Sequence, residues 1–285
     1  MSIRDDFPSV RPRCYADSAA KTLTPHAVVA VMNEYYQSLD ANVLRGLHRR
    51  AVQCTELVEE ARRAVASTVN ASAEHLVFCQ NATHAINQLA SGLQLPTGSR
   101  IVSSLLEHHS NLLPWMRLAQ RCEGELLFLE PDENGVLELA QAQDLLSAGK
   151  VALLALTQVS NVLGSEQPIA ELCRLARDAG AVSVVDAAQS VGHGLADVQL
   201  LGCDALVWSG HKSFGPTGTG ALWMRAELLE RLEPSMVGGG AIDALGPDGF
   251  VVAQEPAWRR FEVGTPNIAG LIGLGAAAHY LNEQL

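Results

Sequence analysis

Short apolar runs rich in Val, Leu and Ile alternate along this chain with longer stretches whose apolar residues recur at three- and four-residue steps. A strand buried on both faces reads as a continuous apolar run, and a helix lying on a sheet reads with a 3.6-residue period, so the alternation predicts a mostly parallel sheet flanked by helices, an α/β fold. Strands are expected over 75–79, 100–105, 125–129, 151–157, 182–185, 205–209 and 220–224, seven in all. The clearest helix is expected over 50–69, where Cys54, Leu57, Val58, Ala61, Val65 and Val69 form one stripe. Others are expected over 25–38, 83–93, 111–121, 139–147, 168–179, 225–231 and 268–285. The last is still periodic where the sequence stops, with no Gly, Pro or polar tail to end it. Val237-Gly238-Gly239-Gly240 and the stretch up to Glu255 read as a surface excursion rather than a linker.

With 285 residues, 48% of them hydrophobic, the chain can bury the core of one large α/β domain. A formal charge of −11 argues against general affinity for nucleic acid or anionic membrane, because neutralising phosphates takes an excess of Lys and Arg. The opening residues MSIRDDFPSV are polar where a signal peptide is apolar, and no run is long and apolar enough to span a bilayer, so a soluble, cytoplasmic protein is expected. Cys14, Cys54, Cys79, Cys122, Cys173 and Cys203 are scattered without a C-x-x-C pair, which suggests reduced and mostly buried thiols rather than a zinc or redox motif.

Four segments, each just after an expected strand, hold the chemistry. In the first, Ser209-Gly210-His211-Lys212 continues into a Gly-rich loop ending at Gly220, so Lys212 stands among small and polar neighbours that suit a ligand loop, though an ordinary exposed lysine would read the same way. In the second, the strand at 182–185 runs into Asp186 and then Ala187-Ala188-Gln189, and open α/β sheets bind ligands at the carboxyl ends of their strands. A carboxylate there could pair with a protonated pyridine nitrogen or cap a helix. The third, Gln80-Asn81-Ala82-Thr83-His84, opens a helix whose free N–H groups and Thr83 hydroxyl suit a phosphate. In the fourth, Glu107-His108-His109-Ser110-Asn111, adjacent histidines on extended chain point apart, which fits a stacking imidazole better than a metal site.

Taken together, three of these segments and three others carry a resemblance to a known family. Tyr15-Ala16-Asp17-Ser18-Ala19-Ala20, Glu107-His108-His109 with Asn111 and Pro114-Trp115, Val159-Ser160-Asn161-Val162-Leu163-Gly164, Val185-Asp186-Ala187-Ala188-Gln189, Ser209-Gly210-His211-Lys212 and Phe261-Glu262-Val263-Gly264-Thr265-Pro266-Asn267 resemble, in order, the group II cysteine desulfurases and selenocysteine lyases. These belong to the class V aminotransferase branch of the fold-type I enzymes that use pyridoxal 5′-phosphate (PLP). The resemblance implies that Lys212 forms a Schiff base with the cofactor and later moves the substrate α-proton. It implies that Asp186 pairs with the pyridine nitrogen, Gln189 bonds the phenolic oxygen, His108 stacks on the ring and aids proton transfer, and Asn161 contacts cofactor or substrate. Thr83, Ser209 and His211 would hold the phosphate beside Ala82, and Thr265 would reach the phosphate of a neighbouring subunit, which implies a homodimer. The implied reaction releases sulfur or selenium from L-cysteine or L-selenocysteine to give L-alanine, with a sulfur-acceptor protein as partner and iron–sulfur cluster assembly as the setting; no metal site, nucleic acid or membrane partner is implied.

This chain departs from the family at three places. Its phosphate turn reads Asn81-Ala82-Thr83-His84 where the family reads Gly-Thr-Thr-Glu, so Ala82 lacks a hydroxyl, whereas asparagine tolerates left-handed backbone angles and the turn itself should survive at Asn81. Leu44, in the stretch 42–48, stands where relatives commonly place a histidine. Relatives also continue past the final helix into a small domain on the order of 100 residues, a usual domain size, which carries a persulfide-forming cysteine and an arginine for the substrate carboxylate. The expected organisation is therefore an N-terminal segment at 1–24, a PLP-binding large domain at 25–267, and the start of an interdomain helix at 268–285 with the small domain absent. Two other readings stay open: a PLP-binding chain without turnover, and another class V activity such as an aminotransferase, epimerase or cysteine sulfinate lyase.

Overall fold

The computed structural model describes residues 3–10, 14–44 and 46–284. Arg45 of the 42–48 stretch, the start of the expected N-terminal segment at 1–2, and the expected helix end at 285 lie outside the described residues. The main sheet holds β1 (Leu76–Cys79), β2 (Arg100–Ser104), β3 (Glu125–Leu129), β4 (Val151–Thr157), β5 (Val182–Asp186), β6 (Ala205–Ser209) and β7 (Gly220–Met224), in the spatial order β1-β7-β6-β5-β4-β2-β3. Neighbours from β3 through β6 run parallel, and β7 runs antiparallel to both β1 and β6. Five of the strands are apolar runs buried on both faces, and alternate residues feed two separate core layers. Leu76, Phe78, Leu154, Leu156, Val185 and Trp208 belong to one layer; Val77, Leu153, Ala155, Val184 and Val207 belong to the other.

The helices are α1 (His26–Glu34), α2 (Arg49–Ser67), α3 (Ala82–Gly92), α4 (Leu113–Arg121), α5 (Leu139–Ser147), α6 (Ile169–Asp178), α7 (Val198–Leu201), α8 (Ala226–Arg231) and α9 (Ile268–Gln284). The stripe expected on α2 is present, with Cys54, Val58, Ala61 and Val65 buried. Several expectations are corrected. Helix 25–38 is α1 followed by one π turn, Tyr35–Leu39, which Asp40 ends in the left-handed region at φ 35°. The helix expected from 111 begins at Leu113, because His109–Asn111 form a single 3₁₀ turn and Pro114 occupies the first helical turn. The 237–255 excursion carries an exposed hairpin, β8 (Ile242–Gly246) with β9 (Gly249–Val252). Over its first half, helix α9 lacks the one-sided stripe expected of it: residues 268–275 are all buried, so that half is enclosed on every side, while His279 and 282–284 are exposed. Small residues let α1 and α2 approach it closely, since a Cβ on Gly275 would fall 2.6 Å from that of Ala61 and one on Gly273 would fall 2.9 Å from Met32.

At one edge of the sheet, β1 is closed by side chains instead of another strand. The fully buried Arg62 on α2 donates to the Leu76 carbonyl at 3.0 Å and to both Glu262 carboxylate oxygens at 2.6 and 2.9 Å. Glu262 Oε1 in turn accepts the Phe78 N–H at 2.6 Å. The guanidinium lies over the rings of Trp258, 3.6 Å from its centroid, and Phe78, at 4.5 Å. One ion pair thus satisfies two backbone groups at the edge of the sheet and anchors the 257–267 segment to β1. Without Glu262 the buried Arg62 would keep only one carboxylate, the longer contact to Glu59 at 3.4 Å, and breaking a buried pair is strongly destabilising, so Glu262→Ala should lower the urea-derived unfolding free energy by about 3 kcal/mol. Glu262→Gln, which keeps an acceptor for Phe78, should cost less.

Candidate active site

The carboxyl ends of β4, β5 and β6 and the amino end of α3 surround a cavity of about 530 Å³. Nine of the ten residues singled out in the sequence line it: Lys212, His108, Asp186, Gln189, Asn161, Ala82, Thr83, Ser209 and His211. Such a volume suits a cofactor-sized molecule, and the strand ends are where an open α/β sheet places one. A cavity of about 500 Å³ at the opposite end of the strands, near Ser99, Lys150 and Val182, is lined by no carboxylate or imidazole.

Asp186 is the last residue of β5 and is buried. Its Oδ1 accepts the Ala188 N–H at 2.9 Å in a turn that starts no helix, so the capping alternative does not apply, and the side chain faces the cavity. Burial pushes its pKa above the ordinary carboxylate range, while the Ala188 amide and the nearby Lys212 and His108 pull the other way. Among the described residues Asp186 forms no ion pair. A buried carboxylate without a cation is costly, so the site favours a cationic occupant. Lys212 ends a short 3₁₀ turn, Gly210–Lys212, that follows β6; it is half-buried, and its amine makes no hydrogen bond among the described residues.

Helix α3 begins at this cavity. The tolerance of asparagine for left-handed angles is not used at Asn81: its φ is −178°, extended backbone, and its Oδ1 caps the helix by accepting the His84 N–H at 2.9 Å. Asparagine therefore serves through its side chain rather than through a backbone freedom. The Ala82 N–H donates to Ser209 Oγ at 2.9 Å, and the Thr83 hydroxyl donates to Ser110 Oγ at 2.7 Å. Burial, with the charges of Lys212 and Lys21, lowers the basicity of His211. The start of β7 presses on the cap, for a Cβ on Gly220 would fall 2.8 Å from Asn81 Cα.

The Ser110 N–H donates to His108 Nδ1 at 3.1 Å, so Nε2 is the ring nitrogen that carries a proton. Beneath this turn lies a carboxyl group to which the sequence reading gave no role. Glu107 accepts from Ser104 Oγ at 2.5 Å, the Thr157 N–H at 3.0 Å and Asn111 Nδ2 at 2.6 Å, and Trp115 Nε1 donates to Asn111 Oδ1 at 3.0 Å. The four-residue steps from 107 to 111 to 115 could have revealed this stack. Burial pushes the Glu107 carboxyl up to about 8, against the pull of those three donors. The adjacent His109 ring is tilted away, with its centroid 5.9 Å from that of His108, and no group of three or more metal-ligating side chains occurs among the described residues.

Gln189 Nε2 donates to the Ala19 carbonyl at 2.8 Å, tying the 17–20 stretch to the cavity, where Asp17, Ala19 and Ala20 form one wall. That wall comes from the segment expected to precede the large domain. Asn161 reaches the cavity from the turn after β4. Thr265 does not join the others: it lines a separate cavity of about 610 Å³ with Leu44, Glu59, Trp258 and Arg259. Among the described residues no cysteine lines the main cavity; Cys14 is exposed and the other five are buried. An amine without a hydrogen bond, a buried carboxylate without a cation, and a helix amino end bordered by hydroxyls together fit pyridoxal phosphate, which has an aldehyde, a protonatable ring nitrogen and a phosphate.

Comparison with known proteins agrees with this geometry. The profile of the family described as Aminotransferase class-V matches residues 14–285. A protein of Methanothermobacter thermautotrophicus named "Probable cysteine desulfurase" is 41% identical over 282 residues, which are 99% of this chain and 70% of that relative. The "Cysteine desulfurase" of Enterobacter sp. is 41% identical over 98% of this chain and 71% of its own length. Among solved structures, the apo structure of the cysteine desulfurase from Thermococcus onnurineus NA1 superposes with a TM-score of 0.94 at 42% identity, over 99% of this chain and 70% of that one. The chain belongs to the class V aminotransferase family, alongside the cysteine desulfurases.

Proposed function

We propose that this chain binds PLP and, as a cysteine desulfurase, releases sulfur from L-cysteine to give L-alanine, with L-selenocysteine as a second substrate. The observation that carries this reading is the meeting of Lys212, Asp186 and His108 around one cavity at the strand ends. When bound, the cofactor supplies an electron sink for the pair of electrons left at the substrate α-carbon. Asp186 would hold the ring nitrogen protonated by pairing with it, and this pairing would offset the cost of its own burial. Lys212 would hold the cofactor through its aldehyde and, once displaced by substrate, carry the α-proton. His108, with Nδ1 occupied by Ser110, would offer its Nε2 proton to the reacting centre. Thr83, Ser209 and His211, beside the Ala82 amide at the start of α3, would hold the phosphate, while Gln189 keeps one amide hydrogen for the phenolic oxygen and Asn161 closes the substrate side.

In the reaction proposed, the substrate C–S bond breaks, the sulfur passes to an acceptor thiol as a persulfide, and the β-carbon takes up a proton. Burial raises Cys203 well above the usual thiol range and Cys173 to about 12, so neither offers a ready thiolate. In this reading the acceptor thiol approaches from beyond the cavity wall, and a sulfur-acceptor protein and iron–sulfur cluster assembly follow from it. Cofactor binding is assigned to 25–267, with 17–20 closing one wall. A homodimer in which Thr265 faces the partner's phosphate would account for its place in a separate cavity. No helix among the described residues is long and apolar enough to cross a membrane, and a cytoplasmic location is part of the same proposal.

Borohydride treatment of protein loaded with PLP, followed by peptide mass mapping, should place a pyridoxyl group on Lys212 and on no other lysine; an unmodified Lys212 at saturating cofactor would overturn the reading. Asp186→Asn should keep that modification but reduce alanine release from L-cysteine by about a hundredfold or more, the scale expected when a charge-stabilising group is lost. Glu107 gives a test by pH. It holds its proton more tightly in the folded protein than in the unfolded chain, so its contribution to stability is complete below about pH 4.5 and is lost as pH rises towards about 8. Urea unfolding between those limits should show a decline in the wild type that Glu107→Gln flattens.

A further inference from the structure

The turn bearing Lys212 is closed by a hydroxyl almost two hundred positions earlier in the chain. Thr22, just before α1, is 8% exposed. Its Oγ1 donates to the carbonyl of His211 at 3.1 Å and accepts the N–H of Phe214 at 2.7 Å, and its own N–H donates to the same His211 carbonyl at 2.9 Å. Within the turn, Ser213 and Gly215 both direct their N–H groups to the Gly210 carbonyl at 2.9 Å. Phe214 lies between them in the left-handed region, at φ 64°, which side chains other than glycine rarely adopt. The Phe214 amide consequently turns away from the acceptor its neighbours share, and the Thr22 hydroxyl takes it.

Other contacts enclose the same turn. The Phe214 ring packs against Phe7 and Tyr280, each 5.8 Å away between centroids, and Tyr280 bonds Asp6 at 3.0 Å. Behind the turn, a Cβ on Gly192 would fall 2.7 Å from the Lys212 carbonyl oxygen, so only glycine leaves room for the lysine backbone there. The residues before and after Lys212 are thus joined through one side chain that does not itself line the cavity.

We propose that Thr22 is a positioning residue for Lys212, its hydroxyl spanning the turn from the carbonyl before the lysine to the amide two residues after it and so fixing where the amine is delivered. The proposal rests on the reading of Lys212 as the amine that carries the cofactor. Thr22→Val keeps the shape and removes the hydroxyl, whereas Thr22→Ser keeps the hydroxyl. Three quantities should be measured: the rate at which added PLP becomes fixable to Lys212 by borohydride, the pH midpoint at which the absorbance of the bound cofactor changes, and hydrogen exchange at the Phe214 amide. The valine variant should slow attachment about tenfold, as expected for one lost buried hydrogen bond, move the pH midpoint and expose the Phe214 amide to exchange; the serine variant should stay within about twofold of wild type on the same scale. A valine variant that matches wild type in attachment rate and midpoint, whatever its melting temperature, would overturn the proposal, as would a serine variant as impaired as valine. Should the valine variant fail to fold, rapid exchange of the Phe214 amide in the wild type overturns it equally. Wild type that carries no adduct on Lys212 instead overturns the reading on which the proposal rests.

Discussion

A carboxylate placed at the end of a central strand, out of water and without a cation, sets the terms for the rest of this structure. Burying Asp186 costs free energy in either protonation state, and that cost is tolerable because the surrounding fold supplies so much apolar burial around β4, β5 and β6. The parallel run of those strands brings their carboxyl ends to one side, so the residues that follow each of them meet at one place. The switch to an antiparallel β7 matters as much. It makes the chain turn back directly after β6, and the turn that results carries Lys212.

The chain contains a second deeply buried charge, and the contrast separates two uses of the same cost. Arg62 is matched on every side, by a carboxylate, a backbone carbonyl and two aromatic faces, and lies at the sheet's edge away from the cavity. Asp186 is matched by one backbone amide and faces open space. A pair complete within the chain holds elements together, whereas one left incomplete has room for a partner from outside.

Much of this was legible in the sequence because it depends on local pattern. Strands buried on both faces announce themselves as apolar runs, and the segments at their ends are contiguous, so eight of the ten singled-out residues stand in segments that local pattern marks, while Asn161 and Thr265 came from the family resemblance. What stayed hidden depends on distant partners. No local signal says that Thr157 donates to Glu107, that Gln189 bonds Ala19, or that Thr22 reaches His211 and Phe214. Thr265 was named by resemblance alone, and its placement apart from the other nine has no counterpart in any spacing. The hairpin of β8 and β9 escaped notice because its exposed residues follow no burial pattern. Helix α9 misled for the opposite reason: its first half, enclosed on all sides, has no polar face to give it a period.

The closure of β1 by Arg62 and Glu262 also bears on how this molecule behaves in a crowd of its own kind. A bare sheet margin invites a passing peptide or a second copy to lay a strand along it, the first step toward ordered aggregates. Here the outward-facing Leu76 carbonyl and Phe78 amide are already engaged, so an incoming strand would have to displace a charged pair sandwiched between aromatic rings before making its first bond. The width of the sheet is thereby limited on that side by electrostatics, without the bulges or prolines that other proteins use for the same end.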